Sequence, residues 1–288
     1  RTADAFNRKG LVQLETDYNT NINTFATLNF NHMFGQNHKV DGFVGYEFRK
    51  ENQSNTTESG DGFPTFQFTS LSNAANPLAV GETSTGFRRN AVFTNVNYAY
   101  KEKYLIGVVV RYDGSSRFGS GFRYGTFAGV KTAWNIDRES FLKNSKAIST
   151  LRLRLSYGNV GNDQIGNFDG LGLYGGGGVY NGGAGIAYSQ LENPSLKWEQ
   201  TTTMNLGIDF GLFNNRVNGS IELYSKKTKD VLLNQPVQQT TGFSSIATNI
   251  GKLSNKGVEV TIGADIFRAK DPGGFNWNVN FTFAYNKQ

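Results

Sequence analysis

Few residues in this chain are spaced for covalent chemistry. The run Gly170-Leu-Gly-Leu-Tyr-Gly175 has the spacing of a dinucleotide-binding turn. Such a turn needs a strand before it and a helix after it, so that a pyrophosphate can rest on the helix N-terminus. Gly176, Gly177 and Gly178 follow instead, with too much backbone freedom to start a helix. A pliable loop is the better reading. The two histidines, His32 and His38, have no nucleophile motif near them, and the chain contains no cysteine. A Ser-His-acid triad, a thiolate-held metal and a disulfide framework all lack support. Neither catalysis nor a cofactor is expected.

Two other groups could bind rather than react. Arg152 and Arg154, with Asp209, Glu222, Glu259 and Asp265, fall on the polar side of segments that alternate apolar and polar residues. There they would solvate a wet interior by pairing with one another, or line the path of a polar solute. Phe63, Phe66 and Phe68 occupy one long segment without any period. Tyr174, Tyr180 and Tyr188 occupy a second, glycine-rich one, and Trp198 stands at its exit. Binding residues gather on loops carried by a rigid scaffold. Rings beside Asn and Asp suit stacking on sugars equally well as packing of loop on loop.

The elements that must hold these residues are clearest between Asn193 and Ile262. Met204, Leu206, Ile208, Phe210 and Leu212 alternate with Thr203, Asn205, Gly207, Asp209 and Gly211. A turn at Asn214-Asn215 reverses the chain, after which Val217, Ile221 and Leu223 oppose Asn218, Ser220, Glu222 and Lys226. Side chains on a strand point to opposite faces with period two, so this is a hairpin with one apolar and one polar face. The same alternation marks Val40–Phe48, Tyr104–Tyr112, Leu151–Tyr157, Val258–Ile266 and Trp277–Tyr285. Eleven strands are predicted, over 6–18, 21–34, 38–52, 86–101, 103–117, 122–136, 149–161, 198–212, 215–229, 254–268 and 274–287. They exceed the five or six residues usual in globular sheets and suit tilted membrane crossings of about 9–11 residues. Tyr and Trp recur at strand ends, as interfacial girdles require.

Composition agrees. Glycine stands at 35 against 5 prolines, and aromatics make up 14%. A mean hydropathy of −0.44 would describe a soluble chain, but in a barrel half of every strand faces a polar lumen and the average is uninformative. No apolar run approaches the roughly 18–20 residues of a membrane helix. The net charge of +6 is dispersed, which leaves no basic footprint for nucleic acid.

Connection lengths offer an independent check, because outer-membrane barrels have short periplasmic turns and longer outer loops. One set comprises 35–37, 102, 137–148, 213–214 and 269–273. The other comprises 19–20, 53–85, 118–121, 162–197 and 230–253. The three long connections all fall in the second set. Residues 137–148 read as a short periplasmic helix. Bacterial single-chain barrels use even strand numbers, so eleven strands predict a piece of a larger barrel.

Several blocks now resemble one family. Asn193-Pro-Ser-Leu-Lys-Trp-Glu199 with the strand after it, Tyr224-Ser-Lys-Lys-Thr-Lys-Asp-Val-Leu-Leu233, Gly242-Phe-Ser-Ser245 and Asn249-Ile-Gly-Lys-Leu-Ser-Asn-Lys-Gly-Val-Glu259 are four of them. Arg111-Tyr-Asp-Gly-Ser-Ser-Arg-Phe-Gly119, with Tyr124-Gly-Thr-Phe127 and Trp134, is another, and Leu153–Asn162 is weaker. In this order, over about residues 90 to 288, they resemble the SusC/RagA-like TonB-dependent outer-membrane transporters of Bacteroidetes. One departure is Ala128, where the family usually has proline.

The resemblance implies a 22-stranded antiparallel barrel of the outer membrane, closed by an N-terminal plug that the lumen charges would help to hold. It also implies energisation through the TonB complex, a SusD-like surface lipoprotein as lid, surrounding outer-membrane lipid, and a glycan or peptide as solute. On this reading 1–288 is one partial barrel domain of an all-β protein, and the plug, the TonB-contacting segment and the remaining strands lie outside it. Rival readings are a surface adhesin or soluble all-β carbohydrate-binding module, and a hydrolase on a small barrel. The first would show strands of five to seven residues, and the second a triad or acid pair at the rim.

Overall fold

The computed structural model describes residues 9–269 and 273–288. Among them are fourteen strands: β1 Leu11–Phe34, β2 His38–Asp61, β3 Asn76–Tyr100, β4 Tyr104–Ser115, β5 Tyr124–Asn135, β6 Ile148–Asn162, β7 Leu173–Tyr180, β8 Gly183–Gln190, β9 Glu199–Leu212, β10 Val217–Lys229, β11 Leu232–Pro236, β12 Ser245–Asn249, β13 Lys252–Phe267 and β14 Trp277–Lys287. Ten of them form one sheet in the order β1-β2-β3-β4-β5-β6-β9-β10-β13-β14, with β1 and β14 at its edges. The pairs β7–β8 and β11–β12 are separate two-stranded ribbons. The described helical residues are three 3-10 turns, at Leu71–Asn73, Ile136–Arg138 and Gln239–Thr241. Among the described residues no helix is long and apolar enough to cross a membrane.

The main sheet has ten strands where eleven are predicted. The turn expected at 19–20 does not exist, because β1 runs unbroken through Asn19 and Thr20. The reason is legible afterwards. Leu14, Tyr18, Ile22, Ala26, Leu28 and Phe30 keep one parity across that point, and neither Asn19 nor Thr20 has the positive φ of a tight turn. The sheet thus has ten strands, and the argument from an odd number falls away. β2 and β3 also extend past their predicted ends into 53–61 and 76–85, where the residues are polar or irregular in pattern yet stay extended. The alternation of connections survives: 62–75, 163–198 and 230–251 all lie at one end of the strands.

The chain divides into two compact units, residues 1–24 with 48–89, and residues 25–47 with 90–288. In the first, Arg49 lies over the Phe87 ring at 5.4 Å and pairs with Glu51 at 2.9 Å. Asn55 donates to both Glu15 and Asp17. Phe63 is buried, and its N–H donates to the Lys9 carbonyl.

In the second unit the register builds the two faces. Ile106 lies opposite Thr132, Thr132 opposite Leu155, Leu155 opposite Leu206, Leu206 opposite Leu223, Leu223 opposite Val258 and Val258 opposite Tyr285. One residue along, the line runs Leu105, Ala133, Arg154, Gly207, Glu222, Glu259 and Ala284. Cross-strand neighbours share a face, so one face is a continuous apolar band and the other is polar. Ile106, Leu155, Leu206 and Leu223 are all exposed. A water-soluble fold does not leave so broad an apolar face uncovered, whereas lipid requires it.

Three consecutive residues, Phe213, Asn214 and Asn215, have φ of 54°, 58° and 56° and form the β9–β10 turn. Asparagine tolerates this left-handed region better than most residues, which fits the turn predicted at Asn214-Asn215. The helix predicted over 137–148 is absent. Residues 136–138 make a single 3-10 turn, and the segment is then pinned by Glu139. That carboxylate accepts hydrogen bonds from Lys103 Nζ at 2.9 Å, Tyr104 OH at 2.7 Å and Trp134 Nε1 at 3.1 Å.

The Lys103 bond foremost, then those of Tyr104 and Trp134, lower the Glu139 carboxyl to about 2. Because the folded form holds the carboxylate below its ordinary value, the clamp is complete above the unfolded pKa of about 4.3 and loosens as pH falls toward the folded value. Hydrogen exchange of 136–147, corrected for intrinsic rates, should be flat from about pH 7 to 5 and rise toward pH 2. Glu139→Gln should exchange at neutral pH as the wild type does in acid.

Candidate solute-binding site

The polar face carries the first part of the site. Arg154 on β6 reaches across to β9, where its Nε and Nη2 donate to the two Asp209 oxygens, each at 2.8 Å. It also lies 3.6 Å from Glu222 on β10. This fork-shaped pairing fixes geometry as a lysine could not. Glu222 stands directly opposite Glu259, a like-charge neighbour that Arg154 offsets. Arg152 sits opposite Asp209 in register, and its Nε is enclosed without a hydrogen-bond partner among the described residues. Arg152 and Arg154 line a concavity of about 710 Å³, together with Lys39, Asp41, Lys131 and Arg138. Asp265 belongs elsewhere. It pairs with Arg268 at 2.6 Å, and its carbonyl accepts from Arg216, which ties the β10 and β13 ends together.

The second part is at the loop end of the sheet, and sequence reasoning missed it. Phe118, Phe127, Leu196 and Trp198 form a buried cluster, with Ile165, Leu232 and Ala247 packed against it. Trp198 lies 5.2 Å from Phe118 and 5.3 Å from Phe127, ring centre to ring centre. Its indole N–H donates to the Arg123 carbonyl at 3.0 Å. Side-chain to backbone bonds complete the knot. Arg117 donates to the Asp163 carbonyl, Asn193 to that of Ala247, and Asn249 to those of Lys197 and Asp230. Glu199 accepts from the Leu232 N–H, and Lys197 pairs with Asp230. The cluster thus joins connections 116–123, 163–198 and 230–251. Gly161 leaves room for the Phe127 ring, which a methyl group there would overlap.

This burial changes how several aromatic residues read. Trp198 is only 4% exposed and Phe63 only 3%, so neither offers a free ring face. Phe66 and Phe68 are exposed on 62–75. Tyr174 and Tyr188 pair across β7 and β8 at 5.0 Å, and Tyr188 meets Phe243 edge-on at 5.6 Å. Tyr180 is 86% exposed at the tip, beside the left-handed Asn181-Gly182 turn. Phe243, from the Gly242–Ser245 family block, joins this surface, as do Val179 and Ile186, which carried no sequence signal. The Gly170–Gly175 run leads into a strand, β7. His38 Nδ1 lies 2.7 Å from the Tyr98 hydroxyl, and His32 packs against Phe34. Among the described residues there is no group of three potential metal ligands.

A meandering sheet with one apolar and one charge-paired face, and its long connections at one end, is the wall of an outer-membrane β-barrel. The sequence matches the family described as TonB dependent receptor-like, beta-barrel, over residues 2–288, and the chain belongs to that family. It is 36% identical over 274 residues to TonB-dependent receptor P39 of Formosa agariphila, covering 92% of this chain and 26% of that protein. To the TonB-dependent receptor SusC of Bacteroides thetaiotaomicron it is 37% identical over 202 residues, 67% of this chain and 20% of that one. Among solved structures, the RagAB peptide importer in its closed-closed state superposes with a TM-score of 0.89 at 27% identity, over 95% of this chain and 30% of the other. The chain spans about a quarter of the length of the curated relatives it matches. The family blocks fall on structural positions, since Phe118, Leu196, Trp198 and Asn249 all lie in the loop knot. Ala128, where proline is usual, uses the N–H that proline lacks to bond Asn159 Oδ1 at 2.8 Å.

Proposed function

We propose that this segment supplies part of the wall and mouth of an outer-membrane importer for large polar solutes. The observation that carries the reading is the uncharged aromatic hairpin 173–190, held by the buried knot at the loop end of a sheet whose other face is polar. Between Gly170 and Gln190 there is no charged residue, and 62–75 has none either. Uncharged, glycine-rich, aromatic loops suit neutral oligosaccharides, whose rings offer C–H faces for stacking and hydroxyls for Asn, Gln and backbone groups. Peptides are the second reading, supported by the likeness to the RagAB importer. TonB supplies the energy, a SusD-like lipoprotein closes the mouth, and no covalent reaction is catalysed. The Arg154–Asp209–Glu222 network keeps the wall polar and helps hold a plug. The names and titles of the relatives, TonB-dependent receptors and a peptide importer, support the transport and TonB roles.

Deleting 170–190 should leave the barrel in the membrane at normal abundance while solute uptake falls at least tenfold. The hairpin contributes nothing to the ten-stranded sheet, so stability should be little changed. Replacing Tyr174, Tyr180 and Tyr188 together with leucine keeps apolar bulk and removes the aromatic faces. Glycan binding should then weaken while peptide binding does not. Growth on the cognate glycan at an unchanged rate after the full deletion would reduce the hairpin to a spacer.

A further inference from the structure

We propose that the periplasmic turn 136–147, with the Lys101-Glu102 corner beside it, is a docking site for the phosphate headgroup of an anionic phospholipid. Glu139 takes hydrogen bonds from Tyr104 and Trp134, and both of these rings belong to the apolar, lipid-facing side of the sheet. Tyr100, Tyr104 and Trp134 form a stacked row there, with centres 6.4 and 6.3 Å apart. The turn is therefore laid against the girdle that marks the headgroup level.

Phe141 is 70% exposed, an apolar ring with no protein cover at the height where aromatic residues anchor in the interface. Lys143 and Lys146 are exposed on the same turn and form no ion pair among the described residues. Lys101 lies over the Tyr100 ring at 5.3 Å, while its neighbours are engaged, Glu102 with Arg138 and Lys103 with Glu139. Among the described residues these three lysines form no ion pair, and they flank one exposed apolar ring at the level of the girdle.

The backbone adds an independent indication. Lys101 and Glu102 have φ of 50° and 54° at the centre of a turn closed by the Lys103 N–H on the Tyr100 carbonyl, a conformation in which Asn-Gly is strongly preferred. Ordinary side chains in that conformation carry strain that points to a use for the side chains themselves. Charge distribution agrees. The connections 35–37, 101–103, 136–147, 213–216 and 268–276 hold eight basic and four acidic residues, while 62–75, 116–123, 163–198 and 230–251 hold three basic and four acidic. Clustered cations beside a membrane attract anionic headgroups. The basic end is the one that meets the phospholipid leaflet.

The test uses the full-length protein in nanodiscs of phosphatidylglycerol and phosphatidylcholine in equal amounts. It is released, and the lipid it retains is counted by mass spectrometry. The wild type should retain phosphatidylglycerol several-fold over phosphatidylcholine. Lys143→Gln with Lys146→Gln should lower that ratio at least threefold, and Phe141→Gln should lower total retention. Lys143→Arg with Lys146→Arg keeps the charge and should keep the ratio. Lys252→Gln, which removes a charge at the opposite end of the sheet, should leave it unchanged. An unaltered ratio in the glutamine pair overturns the proposal, including the outcome in which that pair instead loses a periplasmic protein partner. So does an equal loss in the arginine pair, which would report a disturbed turn. The readout is independent of uptake, so it stands or falls apart from the transport reading.

Discussion

Leu206→Lys should stop the protein from assembling in the outer membrane. Leu206 is at the centre of the row that runs from Ile106 through Leu155 and Leu223 to Tyr285. A lysine or arginine on the lipid face at the midplane costs about 2–4 kcal/mol, a large part of a folding free energy of about 5–15 kcal/mol. Ile106→Lys and Val108→Lys should behave alike. Asn205→Lys and Ser220→Lys, one residue from the apolar rows, put the same charge on the polar wall and should be tolerated. The measurement is surface abundance and heat-modifiable mobility of the folded barrel on gels. Equal sensitivity of both faces would refute the orientation assigned to the sheet.

That orientation was open to reading because period-two alternation is a local property. Ile106–Tyr112 and Met204–Leu212 display it without reference to any partner, and the Asn214-Asn215 turn has its own chemistry. What failed was also local, but lacked contrast. Asn19-Thr20 looked like a turn by residue type, although the parity of Tyr18 and Ile22 argued against it. Asn52–Asp61 has no apolar period, so nothing in its pattern shows that β2 continues there. The knot of Phe118, Phe127, Leu196 and Trp198 is a different case. Phe118 and Phe127 come from the β4–β5 connection and β5, Leu196 and Trp198 from a connection some seventy residues later, and only the sheet's strand order brings them together. Trp198 consequently read as a candidate binding ring when its position is buried. The family blocks marked these residues as special without saying for what.

Trp198→Ala should leave the barrel assembled and disorder its loop end. Removing a buried tryptophan costs about 3–5 kcal/mol, and the Arg123 carbonyl keeps only the Ser115 N–H of its two donors. The loss falls on the packing of 116–123, 163–198 and 230–251 rather than on the sheet ladder. Limited proteolysis from outside the cell should cut 163–198 and 230–251 far faster than in the wild type, and uptake should fall with it. Tyr180→Ala, at the exposed hairpin tip, should produce no such cutting. If Trp198→Ala leaves proteolysis and uptake unchanged, the knot is not what holds the mouth in shape.

The unequal connections also order the events of folding. The turn that joins β9 to β10 spans residues 213–216, whereas the connection from β6 to β9 spans 163–198, nine times as many. Bringing the ends of a flexible chain together costs free energy that grows with the logarithm of its length, so the longer closure is harder by about 2 kcal/mol. β9 and β10 therefore zip first, around a turn whose two asparagines already favour it, and β6 is recruited to a finished hairpin. The same holds for β1 with β2 and β3 with β4, each joined by three residues. The elementary unit that enters the membrane is then a two-stranded ribbon closed on the periplasmic side, with its open end leading outward. The buried knot can form only after neighbouring ribbons have met, which makes the loop end of this wall the last part to become rigid.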